Sequence, residues 1–130
     1  MNRILNGIIV ILFSSMLVGC GAENLSEKYN KDELEKLSKE IVTLINEKEY
    51  EEVFEKGSDF LKKEASIEDL KKGHELIIEN FGEFEEFKEI NFQEKNGYAI
   101  VINKTKYKNK EVNYITTFGE DLKLEEFRMM

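Results

Sequence analysis

The chain has one imidazole, that of His74, in a stretch whose apolar residues recur at helical spacing. A histidine can act as a general acid or base near neutral pH when a hydrogen-bonding partner positions its ring. Burial among apolar side chains lowers the pKa of an imidazole unless a carboxylate compensates. Two interpretations stay open: an acid/base residue of a small cofactor-free enzyme, or a packed ring in the place of an aromatic side chain.

A second group of polar side chains could orient a small ligand. Its members lie at alternating positions of two apolar stretches: Asn103, Thr105, Tyr114 and Thr116. A few convergent polar groups in an apolar cavity are what fix the orientation of a bound ligand. Threonine and tyrosine are also ordinary strand residues whose hydroxyls bond locally. The buried amide of Asn103 is harder to explain in that way, because an unbonded amide is costly to bury.

The only thiol belongs to Cys20, which closes an apolar run from Ile4 to Val18 that begins beside Arg3. Fifteen residues are short for a membrane span, which needs about 20. A charged start, a short apolar middle and small residues at the end are typical of an export signal. One thiol cannot form a disulfide within the chain, so the sequence indicates no disulfide framework.

The stretch Leu17-Val18-Gly19-Cys20 resembles the lipobox of bacterial lipoproteins at all of its positions. The resemblance implies that the Cys20 thiol receives a diacylglyceryl group and that residues 1–19 are removed as a signal peptide. Two acyl chains anchor a protein stably, whereas one holds it only marginally. A secretory signal with an incidental cysteine, or an uncleaved anchor, is the alternative. We therefore predict a palmitate-type lipid anchor on the extracytoplasmic side of the cell membrane of a Gram-positive bacterium.

Composition limits the partners of the mature chain. The 111 residues left after removal of 1–19 suffice for one domain. Loss of Arg3 changes the net charge from −8 to −9, and such an acidic surface repels nucleic acid. The sequence has no phosphate-binding loop, zinc-ligand spacing or nucleophile elbow, and the acidic residues at 83–86 lack calcium-loop spacing. We expect no cofactor and no metal.

The elements that must position these residues begin after a flexible tether over 20–31 and occupy a domain over 32–130. A helical period runs from Asp32 to Ile45, and a short second helix ends at Gly57. Phe60 and Leu61 are predicted to dock a short turn. A third helix begins at Ser66 in a capping-box-like position and ends at Gly82.

After Gly82 the apolar period changes to two, which indicates strands. Asn96-Gly97 is a strong hairpin signal and places Phe92 opposite Val101. A second turn at Asn109-Lys110 would pair four sets of residues: Tyr107 with Val112, Thr105 with Tyr114, Asn103 with Thr116, and Val101 with Phe118. Both turns put Val101, Asn103, Thr105 and Tyr107 on one face. With a fourth strand over 122–127, the fold class is α+β, helices packed on a four-stranded antiparallel sheet.

The opposite face of the predicted sheet carries apolar residues of its own: Tyr98, Ile100, Ile102 and Ile115. Helices on one side only would leave this outer patch to solvent, and exposed apolar patches usually mark interaction sites. The expected partner is a second copy of the chain or a membrane protein. The alternative is that the tether or the segment 84–87 covers the patch.

Residues 32–128 resemble a bacterial domain-of-unknown-function family with the nuclear-transport-factor-2-like, or cystatin-like, fold. The carriers are "LINEKEYEEVFE" (44–55), "SIEDLKKGHELI" (66–77), the junction at 82–84 and "YKNKEVNYITTFGEDLKLEEF" (107–127). The resemblance implies a curved sheet wrapped around a long helix, a cone that encloses a pocket in many relatives. Such sequences often have Trp at the position of His74, which favours packing there. We predict a lipid-anchored binding or interaction module, with the small enzyme as the alternative.

Overall fold

The computed structural model describes residues 25–130, which form four helices followed by four strands. The helices are α1 (Lys31–Asn46), α2 (Tyr50–Glu55), α3 (Asp59–Glu64) and α4 (Ile67–Phe81). The strands are β1 (Phe84–Lys95), β2 (Tyr98–Tyr107), β3 (Glu111–Phe118) and β4 (Leu124–Met129). They form one open antiparallel sheet in the order β1-β2-β3-β4, so the predicted α+β class is confirmed.

Polar side chains start three of the helices. Asn30 accepts a hydrogen bond from the backbone N–H of Glu33, and Ser66 accepts one from that of Asp69, which confirms the predicted start of α4. Ser58 caps α3, a helix that the sequence analysis described only as a short turn. The predicted docking of this segment is right for Leu61, which is buried, and wrong for Phe60, which remains 61% exposed. Phe60 and Leu61 are the only apolar residues of α3 and are adjacent in sequence, so the helix shows no helical apolar period.

The first hairpin has the predicted register. Phe92 pairs with Val101 and Ile90 with Asn103, around a two-residue turn at Asn96-Gly97. Both turn residues have positive φ, 54° for Asn96 and 87° for Gly97. Asparagine and glycine tolerate that conformation best, and it matches the twist of the flanking strands.

The second hairpin differs from its prediction by two residues. Asn103 pairs with Tyr114, Thr105 with Val112 and Val101 with Thr116. The turn is formed by the residues before Lys110, because Tyr107 and Lys110 exchange backbone hydrogen bonds of 2.8 and 3.3 Å. A shift of two keeps every side chain on its predicted face.

The last strand begins at Leu124, two residues after the predicted start. Gly119 donates its N–H to the carbonyl of Lys123, and Leu122 has a φ of 64°, so residues 119–123 close a loop. Leu124 also forms a parallel bridge with Gly57, which attaches the α2–α3 connection to the start of β4.

Alternate residues of β2 and β3 form the inner face of the sheet and are buried against the helices. They include the four that the sequence placed together, Val101, Asn103, Thr105 and Tyr107, each 0% exposed. From the helical side the core receives Leu34, Ile41 and Ile45 of α1, also 0% exposed. Among residues 25–130, no helix has the length and apolar character needed to cross a membrane.

The described part of the predicted tether is held against the first hairpin. Tyr29 is buried, and its hydroxyl donates to the carbonyl of Gly97 at 2.5 Å. The N–H of Ser26 donates to a carboxylate oxygen of Glu94 at 2.8 Å, and Lys28 forms ion pairs with Glu94 and Glu120. Residues 25–30 therefore pack as part of the domain.

Candidate functional site

The structure places all predicted ligand-orienting residues in the interior. Asn103, Thr105, Tyr114 and Thr116 are each 0% exposed on the inner face of the sheet, and His74 of α4 is 1% exposed. They do not form one cluster. His74 and Tyr114 belong to one hydrogen-bonded group, Asn103 and Thr116 to a second, and Thr105 bonds to the backbone of β3.

The first group, which we call the polar network, consists of Asn46, Tyr50, His74, Tyr107 and Tyr114. Its centre is Asn46 Oδ1, which accepts from the Tyr107 hydroxyl at 2.9 Å and lies 3.2 Å from His74 Nε2. An amide oxygen has no hydrogen to give, so Nε2 must carry the proton of the neutral ring. The other ring nitrogen, Nδ1, then accepts from the Tyr50 hydroxyl at 2.7 Å.

Hydrogen-bond roles are satisfied throughout the polar network. The Tyr107 proton is committed to Asn46, so the Tyr114 hydroxyl is the donor in the 2.5 Å contact between the two tyrosines. The amide nitrogen of Asn46 donates to the carbonyl of Val42 at 2.9 Å, which fixes the amide orientation. The network thus joins the end of α1 to α2, α4 and two strands.

The surroundings of the network favour its neutral forms. Burial lowers the pKa of His74, the charge of Lys48 lowers it further, and Glu75 opposes the shift. Burial also raises the pKa of Tyr107 and, more strongly, that of Tyr114. A neutral His74 and three neutral tyrosines are the protonation states that the hydrogen-bond donors and acceptors of the polar network require.

We expect acidification to destabilise the protein through His74. Because its pKa in the folded state lies below the usual 6.5, the unfolded chain takes up the proton first as pH falls. The contribution of neutral His74 to the free energy of unfolding is fully present above about pH 6.5 and is lost as pH decreases toward the folded-state pKa of this residue. One proton gives a slope of at most about 1.4 kcal/mol per pH unit. Urea unfolding between about pH 7.5 and 5.5 measures this slope.

The control for this measurement is His74→Gln, which can hydrogen-bond but does not titrate. The variant should show a shallower dependence on pH than the unmodified chain over the same range. Equal slopes for the two proteins would mean that His74 does not cause the effect.

The second polar group links the sheet to α1. Asn103 Nδ2 donates to the hydroxyl oxygen of Ser38 at 3.2 Å, and the Thr116 hydroxyl lies 3.5 Å from the same oxygen. Asn103 Oδ1 is buried and has no hydrogen-bond partner among the described residues. Thr105 differs, since its hydroxyl donates to the carbonyl of Val112 at 2.7 Å, the local bond expected of a strand threonine.

An apolar cavity of about 250 Å³ lies elsewhere, at the β4 edge of the sheet. We call it the edge cavity. Its lining combines α2, α3, the start of α4 and β4: Val53, Phe54, Leu61, Ala65, Ser66, Asp69, Leu70, Leu124, Phe127, Arg128 and Met129. Asp69 and Arg128 are its charged residues, and neither forms an ion pair within residues 25–130. None of the sequence-predicted pocket residues lines it.

The outer patch lies on the sheet face away from the helices. Tyr98 is 45% exposed, and Ile100, Ile102 and Ile115 are half-buried. Ile102 and Ile115 are cross-strand partners. Phe60 of α3 extends this surface, since it borders a shallow concavity together with Tyr98 and Thr117. Phe60 was not among the predicted patch residues, because it was expected to dock a short turn.

Chemical groups of other kinds are scarce in the part of the chain that the structure describes. Residues 25–130 contain no cluster of three or more histidine, cysteine or acidic side chains placed to hold a metal ion. Asn46, Tyr50 and Tyr107 were missed as network members. The only signal for Asn46 was its position at the end of a helical period, and Tyr107 was expected on the inner face without a partner.

Comparison with known proteins agrees with the observed fold. An NMR structure of a protein from Ruminococcus gnavus ATCC 29149 superposes with a TM-score of 0.71 and 28% sequence identity. The likeness covers 83% of this chain and 97% of that one. No curated protein matches the chain. The family described as "Protein of unknown function (DUF3887)" matches residues 38–127, from within α1 to β4. The chain therefore belongs to this family of proteins of unknown function.

Proposed function

We propose that the chain is a lipid-anchored extracytoplasmic module that binds a small apolar or amphipathic ligand in the edge cavity. The lipobox-like stretch ending at Cys20, the short apolar run before it and the absence of any other cysteine support the anchor. The acidic net charge supports the lipid anchor indirectly. Such a chain has too few basic residues to be attracted to anionic lipids, so membrane attachment would depend on the acyl chains.

The observation that carries the binding role is the edge cavity itself. Ligand sites are concave and mostly apolar, with a few polar groups that orient what binds. The edge cavity has this composition, since apolar side chains of three helices and β4 form its walls and Asp69 and Arg128 provide charges. Its volume of about 250 Å³ suits a short alkyl chain or a single ring, not a large cofactor.

The polar network supports binding over catalysis. A general base needs access to its substrate, yet His74 is 1% exposed and both of its ring nitrogens are hydrogen-bonded to protein groups. Tyr107 and Tyr114 fill the space between the sheet and the helices. Helix α1 packs across the inner face of the sheet, which supports the nuclear-transport-factor-2-like interpretation. In that interpretation, side chains fill the interior of the cone, and the proposed ligand site, the edge cavity, lies at the edge of the sheet.

The outer patch, with Phe60 added, would be a second surface of this module. Its partner in this proposal is a membrane protein or a second copy of the chain. Exposed aromatic residues are common at protein interfaces, and Phe60 and Tyr98 are among the most exposed large apolar side chains of residues 25–130.

Three probes with one alkyl tail test the edge cavity: octanol, octanoate and octylammonium. We expect octanol to shift the backbone amide NMR signals of Leu70 and Phe127, which line the cavity from α4 and β4 respectively. Comparison of the charged probes then shows whether Arg128 or Asp69 orients the head group. Ala65→Trp should abolish the shifts, because Ala65 is an exposed lining residue and an indole there would take up space that the probe needs.

Glu64→Trp is the matched control, since Glu64 precedes Ala65, is exposed and does not line the edge cavity. It should leave octanol binding unchanged. Equal loss in both variants, or shifts distributed over the outer patch instead, would contradict a ligand site in the edge cavity.

A further inference from the structure

The two edges of the sheet are protected to different degrees. The β1 edge has two register irregularities, between Phe84 and Glu86 and between Phe87 and Glu89. Bulges and charged side chains are common means of preventing one sheet edge from pairing with another, and this segment also carries exposed Glu85 and Lys88. β4 has one register irregularity, at Glu125 between the pairs formed by Leu124 and Glu126, and is regular from Glu126 to Met129.

Within residues 25–130, backbone groups at the free side of β4 have no hydrogen-bond partner over its second half. At its start, Leu124 donates to the carbonyl of Lys56 and accepts from Ser58, so this position is covered. At its end, Met130 exchanges two hydrogen bonds with Asn113 of the neighbouring strand. Because backbone groups alternate along an antiparallel strand, those of Phe127 and Met129 point away from β3.

The side chains around Phe127 form a pattern that complements itself. Glu126 and Arg128 flank it and point to the outer face, opposite Thr117 and Ile115 of β3. Consider two β4 strands that pair antiparallel with Phe127 at the centre. Glu126 of each copy then lies opposite Arg128 of the other, which gives two pairs of opposite charges. Opposite charges at directly facing positions stabilise strand pairs, and like charges destabilise them.

We propose that two copies of the chain pair through their β4 edges, antiparallel and centred on Phe127, so that their sheets become continuous. Phe127 of each copy then exchanges both backbone hydrogen bonds with Phe127 of the other. Leu124 limits the ladder to the residues after it, since its outward groups are already bonded to the α2–α3 connection. The contact differs from the outer patch and does not depend on a ligand.

Pairing also completes the edge cavity. Phe127 points to the inner face and lines that cavity, and in the dimer its facing residue is Phe127 of the second copy. Directly opposed aromatic side chains interact favourably across strands. Each copy would therefore contribute a ring to the rim of the other's cavity.

Charge reversal tests the proposal in cells that co-express two full-length copies with different short tags after Met130. Arg128→Glu in both copies places Glu opposite Glu, and Glu126→Arg in both places Arg opposite Arg. Each should reduce co-purification of the second tag at least tenfold. One Arg128→Glu copy with one Glu126→Arg copy restores both opposite pairs, so co-purification should recover.

The mixed pair is also the folding control. Both variants must be folded for co-purification to recover, so misfolding would not explain the loss seen when each variant is expressed with itself. The two reversals change net charge in opposite directions, so a general charge effect cannot explain loss in both. Glu79→Arg, at an exposed position of α4 without an ion pair within residues 25–130, should behave like the unmodified chain. Unchanged co-purification in the single reversals, or no recovery in the mixed pair, overturns the proposal.

Discussion

Replacing Asn46 by alanine should lower the free energy of unfolding by about 3 kcal/mol, the largest effect we expect from a single polar residue. Its Oδ1 accepts from both Tyr107 and His74. Loss of that oxygen leaves two donors unpaired in the interior, and each buried unpaired group costs about 1–3 kcal/mol. Urea or thermal unfolding at neutral pH measures the change.

Asn80→Ala is the matched control. Asn80 makes the same local bond as Asn46, from its amide nitrogen to the carbonyl four residues earlier, at 2.8 Å against 2.9 Å. It is exposed and has no part in the polar network. We expect a change within about 0.5 kcal/mol. Similar losses for both asparagines would show that the local bond, not the network, determines the cost.

Replacing Cys20 by alanine should remove all lipid from the protein. In cells fed an alkyne-labelled fatty acid, the unmodified chain should incorporate the label and lose residues 1–19. The alanine variant should do neither, because it has no thiol to acylate. Mass spectrometry and in-gel detection of the alkyne measure the two steps separately.

Ser15→Ala is the control here, since Ser15 lies within the apolar run but outside the four lipobox-like positions. It should be labelled and shortened like the unmodified chain. Label retained without Cys20, or an unmodified chain that is never labelled, would contradict the lipid anchor and leave the edge cavity proposal standing.

The sequence predicted the inner face of the sheet better than it predicted the exact neighbours on it. Period-two alternation determines which side chains are buried, and a two-residue error in register leaves that assignment unchanged. Asn103 was thus expected to face Thr116 and in fact pairs with Tyr114, yet all three lie on the inner face. The turn residues before Lys110 carry a weaker signal than Asn96-Gly97, so the second register was uncertain from sequence.

The candidate sites were less accessible to sequence reasoning, because their members come together only in the folded chain. His74 was expected on an apolar helix face, and it is buried there. Its partner Tyr50 lies 24 residues away and Asn46 lies 28 away, so no local spacing connects them. The edge cavity is formed where three helices meet the last strand, a meeting that depends on tertiary packing.

The attachment of Tyr29 and Ser26 to the first hairpin determines at which end of the sheet the proposed lipid anchor would lie. With Cys20 lipidated as proposed, six positions along the sequence separate it from Ser26, so we expect the Asn96-Gly97 end of the sheet to lie nearest the lipid head groups. Helix α1 then leads away from the membrane over its 16 residues, about 24 Å. In that arrangement Asn46 and the tyrosines around it would lie at the end of the domain that is farthest from the bilayer.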